Sequence, residues 1–215
     1  LPIYRRLPII RSWDFGGNPC TFWCQITPTR RVNIFQSIRG ENMGCEQHIQ
    51  LNVVPWQVEK GIMGYTFEDT GDPNGANPDQ KDSNATAVTA IEEMLTSAPG
   101  RRASFTPGPI SIAERVGPWR YLLKMNNQHG LPVIQIDPEA KELRRALGGG
   151  WHKKKDASGI IRDIVKDASS EHGDAGGYGL ALKFPIPELI ARPKPKAAKQ
   201  YRPLGVVSER GWMTV

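Results

Sequence analysis

The sequence lacks the features that mark membrane proteins, disulfide-stapled proteins and phosphate-loop motors. None of its apolar runs approaches the roughly 18 residues that a membrane span requires. Its three cysteines, Cys20, Cys24 and Cys45, cannot all pair within the chain, and no signal-peptide pattern precedes them. No Gly-x₄-Gly-Lys-Ser/Thr phosphate loop occurs. We therefore expect a protein of a reducing cytoplasm that neither spans a membrane nor carries a phosphate-loop motor in this chain.

Length and charge favour a basic globular domain. A chain of 215 residues can bury a core without disulfides. Lysine and arginine number 28 against 22 acidic residues, which gives a net charge of +6 and a pI near 9.3. The sign of this excess favours a polyanionic partner such as nucleic acid. We predict one domain over residues 1–183 and an extended Pro- and Lys-rich tail over 184–215.

The N-terminal part predicts a meander of three antiparallel strands. The apolar run from Leu7 leads to Asp14, which is followed by a Gly-Gly-Asn-Pro turn. Residues 21–27 and 32–38 are the next two strand candidates. Because side chains alternate along a strand, we expect Asp14 to face away from Trp13 and Phe15.

The remainder alternates helices and strands. We predict helices over 42–60, interrupted by Pro55, over 87–97, over 110–127, broken at Gly117-Pro118, and over 138–147. Strands are predicted over 64–70 and 131–136, loops over 76–84 and 99–109, and a hairpin from 151–155 and 160–165. A last helix, with Ser169 or Ser170 as its N-cap, is predicted to end at Lys183. Four glycines in the last helix, at 173, 176, 177 and 179, predict close packing against another backbone.

Three acidic residues lie at the ends of strands or on the last helix of this pattern. Asp14 ends the first strand, Asp72 follows the fourth, and Asp174 lies on the last helix. A meander continued by alternating strands and helices, with acids at these places, is expected of a ribonuclease H-like α/β sheet. Asp69, also at the end of the fourth strand, is a weaker site candidate, for which a solvated strand-end acid is the better explanation.

Four short motifs occur in order along the chain. They are Trp13-Asp14-Phe15-Gly16 with Pro19 and Gln25, Gly71-Asp72-Pro73-Asn74-Gly75, Leu147-Gly148-Gly149-Gly150, and Lys166-Asp167-Ala168-Ser169-Ser170-Glu171-His172-Gly173-Asp174-Ala175. Together they resemble the nuclease domain of the phage large terminase subunit, over about residues 8–183. The resemblance implies a ribonuclease H-like mixed sheet, made of an antiparallel three-strand meander plus parallel strands, with helices on both faces and an added β-hairpin.

The same resemblance implies a function and partners. It implies an endonuclease of the host cytoplasm that cuts concatemeric double-stranded viral DNA during packaging. The implied partners are the portal protein, a small terminase subunit and the ATPase domain of the same full-length protein.

Phosphodiester hydrolysis with two ions, Mg²⁺ or Mn²⁺, needs carboxylates drawn from separate elements. On this hypothesis Asp14, Asp72 and Asp174 are the catalytic, metal-binding residues, and Asp14 bridges or anchors the ions. The final motif departs from the family, which usually has Asn where this chain has Asp167 and His where it has Glu171. Because Glu171 and Asp174 share a helix face from which His172 is turned away, the spacing favours Glu171 as the fourth ligand.

Basic residues are the candidate DNA contacts. Lys153, Lys154 and Lys155 lie on the predicted hairpin, and Lys166 lies eight residues before Asp174 in the final motif. With Arg101 and Arg102 they could contact phosphates without reading bases. A solvated charged surface explains the lysine triplet equally well.

Three alternatives remain open from the sequence. Cys20, Cys24, Cys45 and His48 have the side chains of a structural zinc site, although two cysteines four residues apart on a strand are poorly spaced for chelation. The chain could instead be a non-catalytic DNA-binding or portal-docking module. It could also be a transposase- or resolvase-type nuclease of the same fold.

Overall fold

The structure is a computed structural model, and it describes residues 1–77, 86–127, 129–155, 158 and 161–185. Most of the predicted loop over 76–84, most of the predicted hairpin turn over 156–159 and the predicted tail from residue 186 onward lie outside the described residues.

A six-stranded mixed sheet forms the centre of the fold, in the order β7-β4-β1-β2-β3-β8. Its strands are β1 (Ile9–Asp14), β2 (Cys20–Ile26), β3 (Val32–Arg39), β4 (Phe67–Gly71), β7 (Phe105–Pro107) and β8 (Ile134–Ile136). The first three form the predicted antiparallel meander, while β4 and β7 continue the sheet in parallel beside β1 and β8 pairs in parallel with β3. The predicted mixed sheet is therefore confirmed.

Two small ribbons accompany the sheet. They are β5 (Thr96–Ala98) with β6 (Arg101–Arg102), and β9 (Lys153–Lys155) with β10 (Ile161–Ile164). The second ribbon is the predicted hairpin. The prediction of a loop over 99–109 is wrong, because β6 and the sheet strand β7 both form within it. Strand β7 is only three residues long and gives little pattern to detect.

Helices cover both faces of the sheet. They are α1 (Cys45–His48), α2 (Val54–Glu59), α3 (Ala87–Met94), α4 (Ile112–Leu122), α5 (Lys141–Arg145) and α6 (Ala168–Lys183). The interruption predicted at Pro55 is absent, because a π-helical turn joins α1 to α2. The proline lies in the first turn of α2, where no backbone donor is needed. The break predicted at Gly117-Pro118 is also absent, because α4 continues through Pro118, and α4 is shorter than predicted at both ends.

The sheet separates two apolar clusters. One lies toward α4, α5 and α6 and contains Phe22, Trp119 and Leu143. The other lies toward α2 and α3 and contains Trp13, Trp23 and Ile91. Among the described residues no helix has both the length and the apolarity needed to cross a membrane.

Glycines bring α6 close to the sheet, as the sequence predicts. A Cβ at Gly176 would lie 2.3 Å from the Trp119 ring, and a Cβ at Gly179 would lie 2.6 Å from the Ser12 hydroxyl oxygen. The Ser12 hydroxyl also donates to the Ala175 carbonyl oxygen at 2.6 Å. The absence of these side chains lets α6 pack directly on β1, which places its residue Asp174 beside the end of that strand.

Candidate active site

Two of the predicted acids meet at one edge of the sheet. Asp14 is the last residue of β1, and Asp72 directly follows β4, its parallel neighbour. The Asp72 backbone N–H donates to the Trp13 carbonyl oxygen at 2.9 Å, and the Asp72 side chain accepts from the Asn74 backbone N–H at 2.9 Å. Both aspartates line a solvent-facing cavity of about 400 Å³. The carboxyl ends of β1 and β4 therefore form the floor of a candidate site.

Asp174 approaches the same place from α6. It is fully buried and lies behind the cavity wall, where its Oδ2 accepts from the Lys166 ammonium at 2.8 Å. Its Oδ1 lies 3.7 Å from Arg115 Nη1 and has no hydrogen-bond partner. One oxygen of a fully buried carboxylate thus lacks a hydrogen bond, and among the described residues only the Arg115 charge at ion-pair distance offsets the cost of burying it.

The electrostatics of Asp14 reflect this crowding of acids. Its pKa rises from 3.8 to about 8, chiefly because burial disfavours the charged form and also because Asp174 and Asp72 are close. Lys166 and Arg115 oppose the rise. Burial and the neighbouring carboxylates thus together disfavour the charged form of Asp14.

Arg115 is a site residue that the sequence analysis missed. Its side chain is buried, lines the cavity from α4, donates to the Tyr178 hydroxyl oxygen and lies over the Tyr178 ring. The sequence predicts a helix in this segment but carries no motif that assigns Arg115 to the site. Only the packing of α4 on α6 reveals that it faces the acids.

Glu171 faces the cavity, whereas His172 faces Ser37 of β3. Glu171 lines the same cavity as Asp14 and Asp72, which we call the acidic cavity. Its carboxylate pairs with Arg39 from the end of β3. His172 Nδ1 lies 2.7 Å from the Ser37 hydroxyl oxygen, and burial lowers the pKa of this histidine to about 4. Of these two residues, Glu171 is therefore the one that lines the cavity, and its ion pair with Arg39 is not predicted by the sequence.

Two other acids have structural partners. Asp69 is buried and accepts from Arg11 Nε at 2.7 Å and from Trp13 Nε1 at 2.9 Å, so it is neither a solvated acid nor directed at the cavity. Asp167 caps α6 through a capping box with Ser170. The predicted N-cap at Ser169 or Ser170 is therefore wrong, because Asp167 is the N-cap and α6 begins at Ala168.

The predicted basic residues divide into two groups. Lys166 lines the acidic cavity. Lys153 and Lys154 are exposed on β9 outside the cavity lining, and Arg101 and Arg102 are exposed on β6. Lys155 belongs to β9 through its backbone, while its side chain lies outside the description.

The zinc alternative is wrong for the described residues. Cys20 and Cys24 are buried in the cluster under α4 to α6, whereas Cys45 packs against the opposite cluster. His48 is buried and lies 2.9 Å from the Thr21 hydroxyl oxygen. In the part of the chain that the structure describes, no three acidic, histidine or cysteine side chains are already arranged as a set of metal ligands. The acids of the cavity are therefore neighbours that do not yet converge on one point.

A divalent cation nevertheless suits the chemistry of the cavity. Carboxylate oxygens are the ligands that Mg²⁺ and Mn²⁺ prefer. A cation there would satisfy the unpartnered oxygen of Asp174 and would lower the pKa of Asp14. The residues present therefore fit a divalent metal site.

No protein-family model matches this sequence, and no curated protein matches it either. Solved structures, however, share its fold. The nuclease domain of the large terminase from bacteriophage SPP1, determined with bound manganese, is 13% identical over 82% of this chain and 87% of its own, with a TM-score of 0.53. The P22 large terminase nuclease domain is 14% identical over 85% of this chain and 84% of its own, with a TM-score of 0.55.

A longer protein also aligns. The large terminase of a thermophilic bacteriophage is 12% identical, with a TM-score of 0.56, and the match covers 85% of this chain but only 42% of the thermophilic phage protein. Identities this low establish the fold alone. The chain has the ribonuclease H-like fold of phage large-terminase nuclease domains, as its four motifs predict.

Proposed function

We propose that this protein is a metal-dependent endonuclease that hydrolyses phosphodiester bonds of double-stranded DNA. The observation that carries the proposal is the meeting of Asp14 and Asp72 in one solvent-facing cavity, with the buried Asp174 close to Asp14, in a fold shared with terminase nuclease domains. The bound manganese of the SPP1 domain supports a divalent cation as the cofactor. The chain thus combines the fold and the donor atoms that this chemistry needs.

The three aspartates and Glu171 would hold two ions, Mg²⁺ or Mn²⁺. When bound, such ions activate water and stabilise the attacking and leaving oxygens. The backbone hydrogen bond from Asp72 to Trp13 fixes the spacing of two ligands, and the packing of α6 on β1 fixes the third. Arg115 places a buried positive charge beside them.

The surface suits DNA more than a small substrate. The cavity is open, and the chain carries a net charge of +6. The exposed Lys153 and Lys154 on the hairpin can attract phosphates at a distance from the cavity, and Lys166 can do so at its mouth. We assign Lys155 to the same group from its place on β9.

The biological setting follows from the same proposal. The chain matches 42% of the thermophilic phage large terminase, so we place it as the nuclease part of a packaging protein that also has an ATPase domain. Residues 1–183 would form the nuclease domain, and 184–215 a tail. Its partners would be concatemeric viral DNA, the portal protein and a small terminase subunit, in the host cytoplasm.

Plasmid cleavage tests the proposal. The folded protein is incubated with supercoiled DNA in Mg²⁺, Mn²⁺ or EDTA, and the wild type is compared with Asp72→Asn. Glu93→Gln, an exposed acid on α3, is the matched control. We expect metal-dependent cutting by the wild type and the control and none by Asp72→Asn.

The outcome also separates the alternative functions. If the protein binds DNA but cuts with neither metal, a non-catalytic DNA-binding or portal-docking module replaces the nuclease. Preferential cutting of branched over linear duplexes would instead favour a resolvase-type nuclease of the same fold.

A further inference from the structure

Two positively charged side chains, those of Arg115 and Lys166, lie close to Asp174, and they differ in how far the protein buries them. Arg115 Nη1 lies 3.7 Å from Oδ1, and the arginine side chain is only 9% exposed. Lys166 Nζ lies 2.8 Å from Oδ2, and the lysine side chain is 67% exposed. One countercharge is therefore inside the protein, and the other reaches in from the surface.

Arg115 is fixed by its surroundings. It donates to the Tyr178 hydroxyl oxygen, and its guanidinium carbon lies 4.8 Å from the centre of the Tyr178 ring. Its backbone also packs on α6, because a Cβ at Gly177 would lie 3.0 Å from the Arg115 carbonyl oxygen. Burial and the contacts with Tyr178 thus restrain the charge of Arg115, and helix packing restrains its backbone.

Lys166 has no such restraint. It lies in the segment between β10 and α6, and among the described residues Asp174 is the one partner of its ammonium group. A lysine side chain is a compact charge on a flexible stem. It can leave Asp174 by rotating about side-chain bonds, without any change in the fold.

The ammonium group also holds one oxygen of the carboxylate that a metal ion would bind. Asp174 Oδ2 is held by Lys166, and the described acids do not yet converge as a ligand set. A positively charged ammonium group so close to a divalent cation would repel it. Metal binding and the Lys166 contact are therefore competitors.

We propose that Lys166 is an exchangeable countercharge: it neutralises Asp174 in the metal-free protein and leaves it when a divalent cation binds. Released, its ammonium group lies at the mouth of the cavity, where it can pair with a DNA phosphate. Lys166 is then a DNA-binding residue whose availability links metal occupancy to DNA affinity. The inference rests on the metal site proposed above.

Metal titration without DNA tests the competition. Mn²⁺ binding to the metal-free protein is measured by calorimetry for the wild type, Lys166→Met, Lys166→Arg and Asp174→Asn, after circular dichroism confirms that each variant folds. We expect Lys166→Met to lower the Mn²⁺ Kd by about 5- to 10-fold, the order of effect of removing one nearby charge. Lys166→Arg, which keeps the charge, should bind like the wild type.

The two proposals fail in different ways. If Asp174→Asn loses Mn²⁺ affinity but Lys166→Met does not gain it, the exchange is wrong and the metal site stands. If Asp174→Asn binds Mn²⁺ as tightly as the wild type, the metal site itself is wrong.

DNA binding tests the released state. The salt dependence of binding to a short duplex is measured with EDTA and with Ca²⁺. With Ca²⁺, Lys166→Met should reduce the slope of log K against log salt by about 1 relative to the wild type, the signature of one lost phosphate contact. In EDTA the two slopes should agree. A slope unchanged by the substitution in Ca²⁺ would contradict the release of Lys166 to DNA.

Discussion

The backbone N–H of Asp72 donates a 2.9 Å hydrogen bond to the carbonyl oxygen of Trp13, the residue before Asp14. This bond extends the parallel pairing of β1 and β4 by one residue beyond Gly71. It holds two acids of the candidate site at a fixed separation whether or not anything is bound between them.

Gly71→Ala should disturb this pairing. A Cβ at Gly71 would lie 2.4 Å from the Trp13 carbonyl oxygen, so the two strands must separate. We expect a loss of about 1–3 kcal/mol in the free energy of unfolding and a weaker metal site, measured by urea unfolding and Mn²⁺ titration.

The matched control is Gly44→Ala. A Cβ there meets nothing within 4 Å, and the backbone φ of −77° suits any residue. Equal losses of stability in both variants would contradict the role given to Gly71.

Asp14→Asn should abolish cleavage and yet stabilise the metal-free protein. Folding raises the pKa of Asp14 from 3.8 to about 8, so between these values the folded protein binds the proton more tightly than the unfolded chain does. The stability that comes from this group is fully present below pH 3.8 and is lost as the pH rises through about 8.

The asparagine variant should lose that pH dependence. In EDTA at pH 8.5 or so we expect its Tm to exceed that of the wild type by at least about 2–4 °C, the shift that 1 kcal/mol gives in a domain of this size. Thermal melts across the pH range measure the effect. A lower Tm for the variant at every pH would refute it.

Asp69→Asn should destabilise the fold more than it affects the site. It leaves Arg11 buried without its countercharge, and breaking such a pair costs about 3–5 kcal/mol. Glu68→Gln breaks a partly exposed pair with Lys183 and should cost less than about 1 kcal/mol. Chemical unfolding measures the free energy of unfolding of both variants. A small loss of stability in Asp69→Asn would show that water reaches Arg11 and would contradict the prediction.

Glu171→Gln should impair cleavage less than substitution of the aspartates does. Its carboxylate is 22% exposed and already shared with Arg39, so we expect a loss of about 10- to 100-fold. Initial rates of plasmid nicking measure this loss. His172→Gln is the comparison, because His172 faces Ser37 instead of the cavity, and a larger loss there than at Glu171 would reverse the assignment.

The sequence predicts the elements with strong local patterns. The meander, the places of Asp14 and Asp72 at strand ends, and the glycine-dependent packing of α6 all follow from alternation, turn residues and spacing. The four motifs, taken in order, extend the prediction from these elements to the whole mixed sheet.

Features that depend on distant partners were missed or misjudged. Strand β7 forms in a Gly- and Pro-rich segment only because β4 offers a free edge beside it. Arg115 and Arg39 find their acidic partners across 59 and 132 residues of sequence, and no local pattern reports such pairs. Asp69 looked solvated because its partner Arg11 belongs to another strand.

The glycines of α6 have a consequence for how the protein folds. A helix with four interior glycines loses about 1 kcal/mol of intrinsic stability at each of them, so α6 cannot persist as an isolated helix in water. It is held by its contacts with β1, β2 and α4. The carboxylate of Asp174 therefore reaches Asp14 only after the sheet has assembled, and a partly folded or nascent chain does not possess the complete acidic cavity.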